Sequence, residues 1–394
     1  MNILFLQRPW PVYGGGETVT VVLANELARR GHNVYVAYFK DTSKGTKELP
    51  VIDGRIKSIL IPNVKLDEFT SDLFVKKEEA HYVSDEVVKI VRQNSIDIIH
   101  NQFWPTEYFK GVHSQTNCKI VSVLHHDIDP KKVFGHDSIR SCLINAFYPL
   151  YRMAEHWKNM RRVNKLCDNS DLLYFLSPSY LKRYRAMRKD IDTCRTDYVF
   201  NPIVFSEAIS KEDMSKKENV VLFVGRLEEK QKQVLRLLKI WQTVSKYNES
   251  WELKIVGDGP DRGVYEKYVA EKDIHRVSFE GFRIPLDYYR KASIFVMTSA
   301  YEGLPMTLIE AQQNGVVPVV MNTFSSVNDI IENNISGIIT PPDENAFAVA
   351  LNKLMNNETV RKEMAEQVVK GSKRFSTSSV VDRWEEIYAD LCKR

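Results

Sequence analysis

The stretch S-A-Y-E-G-L-P-M-T-L-I-E-A-Q-Q-N-G (Ser299–Gly315) sets a glutamate at each end of an apolar run, Glu302 and Glu310. A buried strand would carry these carboxylates only at a high desolvation cost, and a surface helix has no use for so many apolar residues between them. Gly303 and Pro305 break the chain after the strand-like S-I-F-V-M-T-S. Proline is favoured in the first helical turn, so a helix is expected to start near Met306. The amides of Gly303, Leu304, Met306 and Thr307 would then be donors at a positive helix end, suited to phosphate or sugar oxygens. Glu302 would sit in the loop and Glu310 about one turn inside the helix, and a carboxylate accepts hydrogen bonds from vicinal hydroxyls.

The segments around this stretch read as a parallel α/β series. N-V-V-L-F-V-G-R, W-E-L-K-I-V-G-D-G-P, V-S-F-E-G-F, S-I-F-V-M-T-S, V-V-P-V-V-M and S-G-I-I-T are strands. Helices are expected around 233–247, near 286–292, from about 306 to 314 and from 343 to 356. V-G-R-L-E-E-K-Q-K (Val224–Lys232) ends a strand with Arg226 and follows it with Lys230 and Lys232. A guanidinium fork with an ammonium suits a diphosphate, although a charge run by itself more often marks a solvated face. I-V-G-D-G-P-D-R-G (Ile255–Gly263) has glycines wrongly spaced for a dinucleotide fingerprint and reads as a turn into a helix.

The N-terminal half is a second series of the same kind. N-I-L-F-L-Q runs into a glycine turn, G-G-G-E (Gly14–Glu17), then a helical repeat closed by Gly31, then N-V-Y-V-A-Y-F. Val19 stands where G-x-G-x-x-G needs its last glycine, so an NAD site is not expected there, but a glycine turn still lets backbone amides approach a ligand closely. Further strands are expected at 96–100, 119–124 and 172–177. His100 ends the first of these and is expected to shape a cleft between the two halves, where parallel sheets place their ligands. The polar stretch 198–219 reads as the connection, and S-S-V-V-D-R-W-E-E-I-Y-A-D-L as a last amphipathic helix.

Composition narrows the class. No apolar run of 18 or more residues exists, so no spanning helix is expected, and the N-terminus reads as a buried strand rather than a signal peptide. Five scattered cysteines without a C-x-x-C pair point to reduced thiols in the cytoplasm. Net charge is only +4, yet residues 131–195 hold 14 Lys and Arg against 6 Asp and Glu. There L-I-N-A-F-Y-P-L-Y-R-M-A-E-H-W-K-N-M-R-R interleaves bases with aromatics and aliphatics, which suits either a solvated helical face or an anionic membrane surface. No nucleic-acid motif accompanies the charge.

Together G-G-G-E, V-G-R-L-x-x-x-x-K, I-V-G-D-G-P and E-G-L-P-M-T-L-I-E-A-x-x-x-G resemble retaining glycosyltransferases of family 4, with the GT-B fold. The E-x7-E pair, with E-A-x-x-x-G behind it, is the specific part. The resemblance runs from Asn2 to about Pro342 and resumes in the last helix, which in this fold returns to the N-terminal domain, here with Trp384 and Tyr388 as anchors. It implies an acceptor-binding Rossmann-like domain over 1–200 plus 375–394, a linker over 201–218 and a nucleotide-sugar-binding Rossmann-like domain over 219–374. It also implies that Arg226 and Lys232, or Lys230, bind the donor diphosphate, with Gly15 and Gly16 across the cleft. Glu310 would hold the ribose. Glu302, with the amides of Gly303 to Met306, would hold the transferred sugar, and Phe282, Arg283 and Ile284 would lie along the base. The family's histidine falls at His125 or His126. No metal or other cofactor is expected. A competing D-x-D metal motif exists at Asp127 and Asp129, and again at Asp190 and Asp192.

The implied function is transfer of a sugar from a UDP- or GDP-sugar to a glycan or polyprenyl-diphosphate-linked acceptor, in bacterial surface-polysaccharide or glycoconjugate assembly. The enzyme would be cytoplasmic or peripheral on the inner face of the membrane. The alternatives are a non-catalytic nucleotide-sugar-binding subunit of a glycosyltransferase complex, and a phosphorylase or epimerase on the same fold.

Overall fold

The computed structural model describes residues 1–12, 14–43, 49–64, 75–125, 148–205 and 209–394. They divide into two compact units. The first takes the described residues within 1–129, 152–204 and 376–394, and the second those within 130–151 and 205–375.

In the first unit the strands are, in chain order, β1 (Asn2–Leu6), β2 (Pro9–Trp10), β3 (Asn33–Tyr38), β4 (Lys40–Asp41), β5 (Lys57–Leu60), β6 (Ile98–Asn101), β7 (Lys119–Leu124), β8 (Leu172–Phe175) and β9 (Thr196–Tyr198). Seven of them form one sheet in the order β5-β3-β1-β6-β7-β8-β9, parallel throughout. Helices covering both faces explain why β1 and β7 are nearly continuous apolar runs rather than alternating ones. The helix Gly15–Arg29 follows β1 and turns Val19, Leu23, Ala24 and Leu27 inward.

The last helix, Thr377–Lys393, belongs to this unit. Ser376 caps it by accepting from the Ser379 amide, and Val380, Val381, Trp384, Ile387, Tyr388 and Leu391 form its buried stripe. Arg30 meets Asp382 at 2.5 Å and Glu385 at 2.6 Å at the helix rim. Trp384 and Tyr388 are thus its anchors, as the pattern implied.

The second unit holds β10 (Glu218–Val224), β11 (Glu252–Val256), β12 (Val277–Gly281), β13 (Ala292–Met297), β14 (Val317–Met321) and β15 (Ile338–Thr340). They form one parallel sheet in the order β12-β11-β10-β13-β14-β15. Chain order reverses between β10 and β13, which makes that point the natural ligand crevice of an open α/β sheet. The helix Val234–Val244 buries Val234, Leu237, Leu238, Ile240, Trp241 and Val244 against it.

The edge strands β5 and β9 and the small β2–β4 pair were not among the expected strands, and two helices also depart from the sequence reading. The helix Glu358–Ser372 was not expected. Its sequence is mostly charged or polar, but Met364, Ala365 and Val368 fall on one buried face and Asn357 caps it by accepting from the Val360 amide. A short helix, Lys211–Ser215, capped by Ser210, lies inside the stretch read as a plain connection.

Candidate functional site

At the crevice of the second unit, the loop after β10 carries Arg226 and is braced by the loop after β11. The Gly225 amide donates to Val256 O at 3.0 Å, the Leu227 amide to Asp258 O at 2.9 Å, and the Asp261 amide back to Leu227 O at 3.1 Å. This contact accounts for the glycines of I-V-G-D-G-P. Gly257 has a φ of +142°, and a Cβ there would stand 1.9 Å from Gly225 O. A Cβ on Gly259 would stand 2.4 Å from Leu227 O. Here the glycines serve one loop lying against another. The side chain of Arg226 is 64% exposed, with Glu228 Oε2 at 3.7 Å from its Nε.

Lys232 closes the short helix Glu229–Lys232, before Gln233 turns left-handed into Val234–Val244. Its Nζ donates to Glu302 Oε1 at 2.6 Å, with both side chains largely buried. Gln231 Nε2 donates to Glu302 Oε2 at 3.2 Å. The Ala300 amide donates to Gln231 O at 2.7 Å, stitching the two loops together. Lys230 is exposed and lies outside this cluster. Lys232 is therefore the lysine brought to Glu302.

The helix after Glu302 runs from Met306 to Gln313, with Pro305 at its N-cap position. Its first intrahelical bond is from the Leu308 amide to Pro305 O at 3.1 Å. The Met306 and Thr307 amides therefore precede the helical ladder at its positive end. Ser326 Oγ donates to Gly303 O at 2.5 Å and holds the turn. Leu308, Ile309 and Ala311 are fully buried, so the apolar run packs this helix on the sheet.

Glu310 is buried within this helix, and Tyr289 Oη lies 3.0 Å from its Oε2. Burial pushes the Glu310 carboxyl up to about 7, against the opposing pull of the Tyr289 hydroxyl. Beyond β12, Phe282 and Ile284 are exposed large apolar side chains, with exposed Arg283 between them.

In the first unit, Gly15 and Gly16 open the helix that follows β1. A Cβ on Gly16 would stand 2.3 Å from Phe103 Cζ and 3.5 Å from His125 Nδ1. The rings of Phe103 and His125 pack with centroids 4.9 Å apart. Gly16, Phe103 and His125 thus form one cluster, in which Phe103 carried no signal of its own. A Cβ on Gly15 would meet nothing within 4 Å. His126, Asp127 and Asp129 lie outside the described residues. In the second D-x-D, Arg188 Nε approaches Asp190 at 3.6 Å and Asp192 accepts from the Cys194 amide.

The structure corrects the expectation for His100. It shapes no cleft. It is fully buried, and its Nδ1 lies 2.6 Å from Tyr388 Oη. Burial holds its pKa down at about 3. A neutral ring with the proton on Nδ1 completes a one-way chain. Gln7 Nε2 donates to Thr20 Oγ1, Thr20 to Gln102 Oε1 at 2.8 Å, Gln102 Nε2 to His100 Nε2 at 3.2 Å, and His100 to Tyr388.

Residues 204–371 match the family described as glycosyl transferases group 1, and residues 13–204 match Glycosyltransferase Family 4. The chain is 30% identical over 245 residues to the GalNAc-alpha-(1->4)-GalNAc-alpha-(1->3)-diNAcBac-PP-undecaprenol alpha-1,4-N-acetyl-D-galactosaminyltransferase of Campylobacter jejuni, covering 61% of this chain and 66% of that one. It is 29% identical over 193 residues to the lipopolysaccharide 1,6-galactosyltransferase of Salmonella typhimurium, covering 47% and 53%. The chain thus spans about half to two thirds of the length of these relatives. Among solved structures, the lipopolysaccharide outer core galactosyltransferase WaaB in apo form matches at a TM-score of 0.67 and 19% identity, over 99% of this chain and 100% of that one. Anabaena HepE in complex with UDP and glucose matches at a TM-score of 0.73 and 18% identity, with the same coverage. The chain belongs to glycosyltransferase family 4, and its fold is GT-B.

Proposed function

We propose that the protein transfers a sugar from a UDP- or GDP-sugar, with retention, to a hydroxyl of a lipid-linked glycan in surface-polysaccharide assembly. The observation that carries the reading is the cluster at the crevice of the second unit, where Lys232 is bonded to Glu302 beside the N-terminus of the helix that bears Glu310. The relatives that act in lipopolysaccharide synthesis or on an undecaprenol-linked glycan support the acceptor class. HepE, solved with UDP and glucose, supports the donor class.

In this reading Glu310 accepts the ribose hydroxyls, and Phe282 and Ile284 lie along the base. Arg226, Lys232 and the amides of Met306 and Thr307 meet the diphosphate, whose charge grows as its bond to the anomeric carbon breaks. Donors fixed beforehand lower that barrier without reorganising. Glu302 holds the sugar, its own position set by Lys232 and Gln231. Gly15 and Gly16 supply further amides to the diphosphate, and His125 or His126 meets the sugar. No group is assigned as a covalent nucleophile, so the acceptor oxygen attacks the face the diphosphate leaves. Its proton passes to the departing phosphate oxygen. No metal or other cofactor takes part.

The helix Tyr148–Asp168 supports a place at an anionic membrane surface. Leu150, Met153 and Trp157 are 64%, 68% and 62% exposed, at spacings that share one face. The Arg161 guanidinium lies over the Trp157 ring at 4.9 Å. Among the described residues no helix is long and apolar enough to cross a membrane. An apolar stripe rimmed by bases suits a headgroup layer.

Transfer from UDP- and GDP-sugars to a polyprenyl-diphosphate glycan, with the anomeric product read by NMR, tests the reading. Arg226→Ala should lower kcat/KM by on the order of a hundredfold. Donor binding with neither transfer nor donor hydrolysis would establish the non-catalytic subunit instead. Flotation with anionic vesicles, weakened by Trp157→Ala and by salt, tests the membrane face.

A further inference from the structure

Tyr289 lies in the helix Leu286–Lys291, on the opposite side of β13 in sequence from Glu310, and no motif links the two. It is fully buried. Its ring packs edge-on against Phe205 at 6.2 Å and tilted against Phe295 at 6.5 Å, which fixes where its hydroxyl sits. That hydroxyl has two acceptors in reach, Glu310 Oε2 at 3.0 Å and Thr307 O at 3.2 Å, and one proton to give.

The backbone beneath Tyr289 is also held. Lys217 Nζ donates to Tyr289 O at 2.8 Å and Ala292 O at 2.9 Å, with Arg290 O at 3.4 Å. These are the carbonyls that a helix C-terminus leaves unsatisfied, and an amine there also meets the negative end of the helix. Lys217, Tyr289 and Glu310 therefore form a chain of fixed contacts reaching from the residue just before β10 to the interior carboxylate.

We propose that Tyr289 is a positioning residue for the ribose grip: its hydroxyl holds one oxygen of Glu310 so that the remaining acceptor positions face the vicinal diol of the nucleotide. The proposal rests on the reading of Glu310 as the ribose-binding carboxylate. When the diol donates to Glu310, the Tyr289 proton belongs on Oε2. Without that hydroxyl Oε2 loses its fixed donor, and one constraint on the orientation of the carboxylate goes with it. The consequence is selectivity. A nucleotide lacking one hydroxyl of the diol forgoes the oriented pair, so the side chain that orients Glu310 also sets the preference for ribose over 2′-deoxyribose.

The test is calorimetric titration of the full chain with UDP, GDP and their 2′-deoxy counterparts. For the wild type, the better-binding base should show about a tenfold preference for the ribonucleotide, 1.4 kcal/mol. Tyr289→Phe, which keeps the ring that fills the core, should reduce that preference to about threefold or less by weakening the ribonucleotide alone. Lys217→Met, which alters no atom of the grip, should lower it in the same direction. Unchanged 2′-deoxynucleotide affinity reports that each variant's site is intact. Glu310→Gln separates the two levels of the argument. If Glu310→Gln loses the preference while Tyr289→Phe and Lys217→Met keep it, the positioning role is overturned and the ribose reading stands. If the wild type shows no preference, both fall.

Discussion

Lys232 Nζ and Glu302 Oε1 stand 2.6 Å apart with 14% and 7% of their side chains exposed, where the loops after β10 and β13 are stitched together. Removing one member of such a pair leaves a buried charge without its counterion, which typically costs about 3–5 kcal/mol. Removing both costs much less, because the desolvation penalty goes with the attraction. Lys232→Met and Glu302→Met should each lower the urea midpoint markedly, and the double variant should recover most of the loss. Sugar transfer should be abolished in all three. Recovered stability without recovered turnover separates the pair's structural contribution from its chemical one.

Glu310 works against the stability of the fold that uses it. Its carboxyl titrates near 7 in the folded protein against an ordinary 4.5. Between those values the folded chain keeps a proton that the unfolded chain has released, so stability falls as pH rises from 4.5 to 7 and is level above that. The shift corresponds to about 3 kcal/mol. Glu310→Gln should therefore be more stable than the wild type at pH 8, with the difference closing towards pH 4.5. Thermal melts across that range check it. A variant that gains stability while losing nucleotide binding identifies a carboxylate kept for its ligand.

The two glycines of I-V-G-D-G-P should behave unlike their neighbour Gly263. Gly257→Ala puts a Cβ into Gly225 O at a φ of +142°, and Gly259→Ala puts one into the Leu227 backbone. Each should cost more than about 2 kcal/mol and weaken diphosphate binding, because the displaced loop carries Arg226. Gly263→Ala adds a Cβ that meets nothing within 4 Å, inside the helix Arg262–Glu271. It should gain about 0.5–1 kcal/mol by lowering the entropy of the unfolded chain. Denaturation curves for the three variants decide the matter.

These glycines also show what the sequence could and could not disclose. The interior strands of both large sheets were legible, because a fully buried parallel strand is a short apolar run ending at a glycine or polar turn, and the runs at Asn2–Leu6, Lys119–Leu124 and Ala292–Met297 have that form; the short, partly exposed edge strands Lys57–Leu60 and Thr196–Tyr198 have no such run and were missed. The helix start at Met306 followed from Pro305, and the last helix from its stripe through Trp384 and Tyr388. The partners were not legible. Tyr289 reaches Glu310 across β13, Phe103 covers Gly16 from the far end of β6, and Gln231 meets Glu302 from another loop. Such contacts are made by the fold, at separations where no local period links the residues. His100 was misread for the same reason. A strand-end histidine looks like a ligand-facing group until a helix some 280 residues later is found lying on it.

That helix gives the last expectation. The chain from Gln7 through Thr20 and Gln102 to His100 hands each proton in one direction and ends on Tyr388 Oη, which accepts from His100 Nδ1. Every member is buried, so a missing acceptor is not replaced by water. Tyr388→Phe keeps the ring against Trp384 but leaves the His100 N–H unpaired, which should cost about 1–3 kcal/mol. His100→Phe with Tyr388→Phe removes the donor as well, but then leaves Gln102 without its acceptor, so it should recover only part of the loss. Because the contact ties Thr377–Lys393 to β6, the single variant should raise hydrogen exchange first in that helix. Exchange spread evenly over the first unit would mean that the bond adds to overall stability without holding the helix down in particular.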